Sequence, residues 1–314
     1  SLSKHKKSYV SIEKSIKYAI EFIKSKQISD GSWREYVNQG GISNVWATAF
    51  IITKISEVEI LKSNLNNEIT NALSFIVNNR TENLWSYNTT WIVDADSTNF
   101  VLLSLLFNEK KIDDLVFKNW LSFQNSYGGF STYNDKEKLL SALDDGLIKN
   151  VDGWTSTHNC VSAVSFYFLA KYKQKNENFT RIKTYFDLNF DAKEEAYWWT
   201  NKIYTLYYLS KTYTILNQKE KVVSIVDKVK KVQNDNGSFS DKYGENLFYT
   251  GLALEILTLD AENTTLESKK ALQYLLKNQY EDGSWDNSFA LQVPLASDYI
   301  PEDIEYTISS FGMN

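Results

Sequence analysis

Apolar residues recur along this chain at helical spacing, in two styles that alternate. In the first they form a single stripe: Ile12, Ile16, Ala19, Ile20 and Ile23 share one face of a run ending at Lys26, with charged residues between them. In the second, apolar residues go all the way round. Asn99-Phe100-Val101-Leu102-Leu103-Ser104-Leu105-Leu106 and Cys160-Val161-Ser162-Ala163-Val164-Ser165-Phe166 have no charged face, the mark of a buried helix. Striped runs span Ile12 to Lys26, Ile69 to Val77, Leu115 to Phe123, Phe179 to Leu188, Val222 to Val232 and Leu266 to Lys277. Each is followed by a more apolar run: Asn44 to Ile55, Ser97 to Phe107, His158 to Lys171, Trp199 to Leu216, Leu247 to Leu259 and a short one from Glu302 to Phe311.

A recurring phrase separates the two helices of a pair. Gln27-Ile28-Ser29-Asp30-Gly31-Ser32-Trp33 returns almost unchanged as Gln279-Tyr280-Glu281-Asp282-Gly283-Ser284-Trp285. Weaker copies begin at Gln124 and Gln233, and a degraded one runs from Asn78 to Trp85. The Gln can reach unpaired backbone groups at a helix end, Asp-Gly supplies a turn with positive φ, and the Trp lays a flat face back over the helix. These landmarks are 51, 46, 109 and 46 residues apart, and the 109 holds two periods, with the missing landmark near Leu188-Asn189-Phe190. Six units of this length signal a repeat architecture in which each unit buries its apolar face against its neighbours.

Six half-exposed helices alternating with six buried ones are what two concentric rings require. The expected fold is therefore all-α, an α6/α6 toroid of six helix pairs, with residues 1–314 forming one domain although length alone would suggest two. Both prolines, Pro294 and Pro301, fall late, so nothing before them forbids helix. Two stretches break the rhythm, Ser131 to Asp152 and Asn287 to Pro301. Both lie where inner helices begin, and both are long enough to be functional loops.

Composition narrows the function. A net charge of −5, with 34 basic and 39 acidic residues intermixed, leaves no basic stripe and excludes nucleic acid as a partner. No apolar run reaches the ~18 residues of a membrane span and no signal-peptide pattern opens the chain, so a cytoplasmic protein is expected. The single cysteine, Cys160, excludes an internal disulfide, and with only His5 and His158 beside it a structural zinc has too few ligands.

The candidate chemistry lies in Trp91-Ile92-Val93-Asp94-Ala95-Asp96-Ser97-Thr98, just ahead of the second buried helix. Helix capping explains one such residue, but it does not call for two Asp, a Ser and a Thr in five residues beneath a Trp. Aromatics stand at the other inner-helix starts, namely Trp46, Trp154, Tyr197, Trp198, Trp199, Phe248 and Tyr249, and with Trp91 they are the candidates for the cavity lining, of which about a third should face the axis.

The Gln-x-x-Asp-Gly-Ser-Trp phrase resembles the QW motif of the squalene–hopene and oxidosqualene cyclases, whose superfamily includes the protein prenyltransferase β subunits. The resemblance spans all six units. Asp94-Ala95-Asp96-Ser97-Thr98 is similar to the Asp-x-Asp-Asp-Thr motif of class II, protonation-initiated terpene cyclases. Asp96 falls at the position of their general acid, and Ser97 departs from the second Asp. The resemblance implies a cyclase acting on a polyprenyl or prenylated small molecule, with Asp96 as acid, His158 as its hydrogen-bond partner, and Asp94 and Ser97 in support. It implies no cofactor, magnesium entering only if the substrate is a diphosphate.

Typical cyclases of this type have two helical domains, which leaves room here for a peripheral membrane contact and for a protein partner or second copy in place of the missing domain. The alternative is a toroid that binds isoprenoids or proteins without turnover. Other toroid families fit less well. Val151-Asp152-Gly153-Trp154 has Trp where a prenyltransferase zinc thiolate should stand. No Cys-Gly-Glu-Gln thioester surrounds Cys160, and a glycosidase pairing of Asp94 or Asp96 with Asp152 or Glu195 would not account for the clamps.

Overall fold

The computed structural model describes residues 11–299, apart from 39, 144, 145, 147, 189 and 260–264. Helices follow in the order α1 (Ile12–Lys26), α2 (Val45–Ser56), α3 (Glu59–Asn64), α4 (Asn66–Asn78), α5 (Ala95–Phe107), α6 (Asp114–Trp120), α7 (Lys136–Leu143), α8 (Asn159–Tyr172), α9 (Glu177–Asp187), α10 (Ile203–Ile215), α11 (Lys219–Lys230), α12 (Leu247–Leu257) and α13 (Leu266–Asn278). The inner ring is built from α2, α5, α8, α10 and α12, each packed on the next. The outer ring is α1, α4, α6, α9, α11 and α13. The expected sixth inner run, Glu302 to Phe311, lies outside the described residues.

Burial follows the two sequence styles. In α8 every residue from Cys160 to Ala170 is buried, and in α5 only Asp96 breaks the buried run from Ala95 to Leu105, whereas α1 buries only Ser15 and Ile20. Two short hairpins were not anticipated: β1 (Glu35–Asn38) with β2 (Gly41–Ser43), and β3 (Ser240–Asp241) with β4 (Gly244–Glu245). Each connects a clamp to the following inner helix.

The clamps do more than stop their own helices. Trp33 and Trp285 do turn back, donating their indole N–H to Ile23 and Leu275 carbonyls. The Gln, however, reaches sideways to the first turns of the next outer helix. Gln27 Nε2 donates to Gly31 and Glu68 carbonyls, Gln124 to Gly128 and Asn178, Gln233 to Gly237 and Glu267, and Gln279 to Gly283 and Ser15. The last pair joins the sixth outer helix to α1 and so closes the outer ring.

Gly283 shows why Gly is required there. Its φ is +91°, and a Cβ would stand 2.1 Å from the Tyr18 carbonyl oxygen.

A second repeat ties each clamp inward. The backbone N–H of the clamp aromatic donates to a hydroxyl on the fourth residue of the following inner helix: Trp33 to Thr48, Trp85 to Thr98, Phe130 to Ser162 and Phe239 to Thr250. These bonds satisfy buried donors that the turn would otherwise leave unpaired, and they set the register of each inner helix against its clamp.

Candidate active site

Because the inner helices are held in one register, equivalent residues meet at one level of the ring. The second residues of α2, α5, α8, α10 and α12 are Trp46, Asp96, Cys160, Tyr204 and Phe248. The Trp46 indole donates to Asp96 Oδ2 at 2.7 Å. Trp199 lies among the others, 3.9 Å from the Tyr204 ring, 5.4 Å from Phe248 and 5.9 Å from Trp46. One turn deeper, Phe50, Phe100 and Tyr208 fill the axis, with Phe100 5.1 Å from Phe50 and 6.0 Å from Tyr208. Asp96 is thus the one carboxylate in a layer otherwise made of Trp, Cys, Tyr and Phe, standing on an aromatic floor.

Above this layer opens a cavity with about 660 Å³ of empty space, its mouth included. Asp94, Asp96 and Ser97 line it together with Trp46, Trp91, Trp154 and Trp198. The other four aromatic candidates for the lining lie elsewhere. Tyr197 stacks on His158 at 3.9 Å, Trp199 and Phe248 belong to the layer below, and Tyr249 donates its hydroxyl to the Ala290 carbonyl. Helix α10 starts at Ile203, later than periodicity suggests, because residues 198–200 run extended against 290–292: Thr200 and Gln292 N–H donate to Ala290 and Trp198 carbonyls. Side chains alternate in such a segment, so Trp198 faces the cavity and Trp199 the floor.

Two long loops meet over the mouth. Trp154 donates its backbone N–H to the Ala296 carbonyl and its indole N–H to the Pro294 carbonyl, at 3.2 and 2.9 Å, and Tyr197 donates its hydroxyl to the Asp298 carbonyl. The 131–152 stretch carries α7 and supplies Thr132 and Tyr133 to the wall, and the 287–299 stretch supplies Leu291, Gln292 and Val293.

The carboxylates are tuned by burial. Desolvation pushes Asp96 up to about 7, opposed by the Trp46 indole, which favours the anion. Asp94 is the N-cap of α5: its carboxylate accepts from the Ser97 backbone N–H and, at 2.7 Å, from the Ser97 hydroxyl. Burial drives Asp94 up to about 8 against those bonds, helped by the nearby charge of Asp96. Capping therefore does account for Asp94 and Ser97. It does not account for Asp96, whose side chain turns to the cavity.

The expected bond between His158 and Asp96 gives way to a different arrangement. His158 is the N-cap residue of α8 and is buried, and its ring is turned into its own preceding loop. Nε2 donates to the Gly153 carbonyl at 2.9 Å, which leaves Nδ1 as the acceptor for the Thr132 hydroxyl at 2.6 Å; that oxygen in turn accepts from the Trp198 indole at 2.7 Å. Burial lowers the imidazole to about 3, so it is neutral. His158 orients the wall residues Thr132 and Trp198, and Trp46 is the donor to the acid.

Sequence reasoning also passed over Tyr133, whose hydroxyl accepts from the Trp91 indole at 3.0 Å and keeps its own proton to donate. Neither Thr132 nor Tyr133 belongs to a repeat landmark. The one signal for them was their place just after the third clamp, in the longer interrupting loop. Asp152 and Glu195 are held away from the acid, by Lys136 and by Asn159. Among the described residues no group of three His, Cys, Asp or Glu side chains could hold a metal, and no helix is long and apolar enough to cross a membrane.

The fold is the helical toroid on which terpene cyclases are built. Type II terpene cyclase MstE from Scytonema superimposes with a TM-score of 0.81 at 20% identity, over 93% of this chain and 86% of that one. A substituted form of MstE in complex with merosterolic acid A as product matches at 0.82 over the same shares, also at 20% identity. A protein from Actinoplanes matches at 0.80 and 20% identity, over 93% and 88%. ent-Copalyl diphosphate synthase from Streptomyces platensis matches more distantly, at 0.58 and 11% identity, over 79% of this chain and 46% of that one. No protein-family profile matches the sequence, and no curated protein does.

Proposed function

We propose that this chain is a class II terpene cyclase that protonates a polyprenyl or prenylated small molecule, with Asp96 as the general acid. The observation that carries the proposal is a lone carboxyl raised to about 7 in an aromatic layer, its Oδ2 held by the Trp46 indole. A free Asp is protonated only about one time in a thousand at neutral pH, whereas a carboxyl near 7 is protonated about half the time. The dry setting keeps the proton on, and the indole stabilises the carboxylate left behind when it leaves.

In the reaction the Asp96 proton forms a C–H bond with one carbon of a terminal alkene, and its neighbour becomes a cation. The next double bond attacks that carbon, closing a ring and moving the charge on. A carbon beside the final cation gives its proton to water at the mouth, the C–H electron pair forms a C=C bond, and the product is an isomer of the substrate. The π faces of Trp46, Trp91, Trp154 and Trp198 line the path and stabilise the moving charge. The acid supplies the electrophile itself, so no step calls for a metal.

Substituted forms of MstE have been captured with geranylgeranyl dihydroxybenzoate as substrate, which favours a prenylated small molecule here. No Lys or Arg stands among the described residues that line the cavity, which favours a neutral head group over a diphosphate. Exposed Ile42, Phe289, Leu295 and Tyr299 sit on the loops around the mouth, an apolar rim suited to a peripheral contact with the cytoplasmic face of a membrane, from which such a substrate would enter. A protein partner or second copy on that rim is the rival, separated by liposome co-sedimentation against light scattering.

The deciding experiment is incubation with polyprenyl and prenyl-aromatic substrates of graded length. Wild type should return cyclised isomers, and Asp96→Asn should bind substrate and return it unchanged. A cyclising Asp96→Asn variant would refute the acid. Should wild type bind isoprenoids and never alter them, the toroid is a binding module.

A further inference from the structure

At the end away from the mouth, a polar network links the inner helices. The Tyr207 hydroxyl is its hub, accepting from Lys54 Nζ at 2.7 Å and Lys211 Nζ at 3.0 Å and donating to Glu255 Oε2 at 2.6 Å. Lys211 also donates to Glu57 Oε2 at 2.7 Å, while Glu57 Oε1 takes the Tyr167 hydroxyl. These bonds cross between α2 with its C-cap Glu57, α8, α10 and α12, four of the five described inner helices.

Lys54 sits deepest, its ammonium 3.8 Å from the Tyr207 ring centroid and 5.1 Å from that of Tyr208. Burial lowers it to about 8. One aromatic layer, Phe50, Phe100 and Tyr208, stands between this network and Asp96.

Two Lys and two Glu in one part-buried cluster add no net charge, and desolvating them opposes the Coulomb gain. Well-packed apolar side chains would serve stability as well or better. A purely structural cap therefore needs no such cluster. What the cluster does provide is cross-links between helix ends that side-chain packing alone would leave free to part.

We infer that the network is a water seal. By tying α2, α8, α10 and α12 together it keeps the floor of Phe50, Phe100 and Tyr208 closed and the cavity single-ended, so that a cation generated at Asp96 meets water only from the mouth, and it thereby decides how the cation is quenched. This rests on the cyclase reading above. With the seal intact, a carbon next to the cation gives its proton to water at the mouth, the electron pair of that C–H bond becomes the new C=C bond, and an alkene forms. With it open, water adds to the cation, a C–O bond forms, and the oxonium passes its extra proton to bulk water, leaving an alcohol.

Tyr207→Phe tests this, because it keeps the ring and removes the hub. Two readouts are needed: the share of alcohol among products formed in oxygen-labelled water, and deuterium exchange of the Trp46 indole N–H followed by NMR. The alcohol share should rise severalfold with label from solvent, and the indole proton should exchange faster. Gly283→Ala, which destabilises the ring far from the axis, should move neither.

A Tyr207→Phe protein with the wild-type product distribution and exchange rate would overturn the seal. If Tyr207→Phe does not fold, Glu255→Gln, at a side chain 54% exposed, reads the same two quantities. Should wild type cyclise nothing, the cyclase reading fails, and the exchange rate alone decides whether the far end is sealed.

Discussion

The Trp46 indole N–H points at Asp96 Oδ2 from 2.7 Å, across the interface between the first two inner helices. That bond works against the desolvation that raises the acid, so it keeps Asp96 strong enough to give its proton up. Trp46→Phe keeps most of the packing against Phe50 and removes the donor. A hydrogen bond to a charged group is worth ~1.5–3 kcal/mol, or about 1–2 pKa units. The acid should therefore become weaker. In the variant the alkaline limb of kcat against pH should move up by about that much, while the plateau at low pH falls because proton transfer is harder. An unmoved limb would mean that the indole does not tune the acid.

His158 should not titrate near neutrality. The chain has two histidines, His5 and His158, so the NMR assignment is short. Burial takes the His158 imidazole down to about 3, whereas an ordinary histidine titrates near 6.5. Between pH 5 and 8 one ring should shift and the other stay fixed as the neutral Nε2–H tautomer. Two titrating rings would reject the Thr132 and Gly153 partnership, and would reopen a direct role for His158 at the acid.

The contrast between His158 and Asp96 shows what could be read from the chain. The two helix styles and the clamps are local patterns, so the double ring was legible from periodicity, and the place of Asp96 followed from its position before an uncharged helix. What periodicity cannot carry is the direction of a side chain in irregular backbone. Ring closure brings inner-helix starts together, which made a His158–Asp96 bond reasonable. Only the path of residues 151–157 turns the imidazole onto Gly153. Trp198 and Trp199 were indistinguishable as letters, and pairing of their strand-like segment with 290–292 sends them to opposite sides. Thr48, Thr98, Ser162 and Thr250 did hold a readable signal, a hydroxyl on the fourth residue of each helix, but it was masked because Ser and Thr are common at helix starts for capping alone.

The raised carboxyls should leave a mark on stability. Asp96 titrates at about 7 in the folded protein and at about 3.9 unfolded, so the folded state holds the proton more tightly. Its contribution to stability is fully present below about 4 and is lost as pH rises through about 7. Asparagine never ionises. Asp96→Asn should therefore melt progressively higher than wild type as pH goes from 5 to 8, the reverse of what loss of an ion-paired carboxylate does. Melting curves of both proteins across that range provide the check. A gap that stays constant or narrows toward pH 8 would show that Asp96 is ionised throughout.

Closure of the outer ring rests on a few atoms of the sixth clamp. Gln279 holds the Ser15 carbonyl at 3.0 Å, and Gly283 lies so close to α1 that a Cβ would meet the Tyr18 oxygen at 2.1 Å. Gly244, in the β3–β4 hairpin, is the natural control: its φ is +112°, yet nothing lies within 4 Å of its absent Cβ. Alanine at either site strains the backbone by ~1–2 kcal/mol. At Gly283 it must in addition push α1 away, a further ~1–3 kcal/mol for overpacking. Gly283→Ala should thus lower the melting temperature well beyond Gly244→Ala and expose the first turns of α1 to hydrogen exchange. Equal losses from the two variants would mean that the α1 contact contributes nothing, and that inner-helix packing alone holds the ring shut.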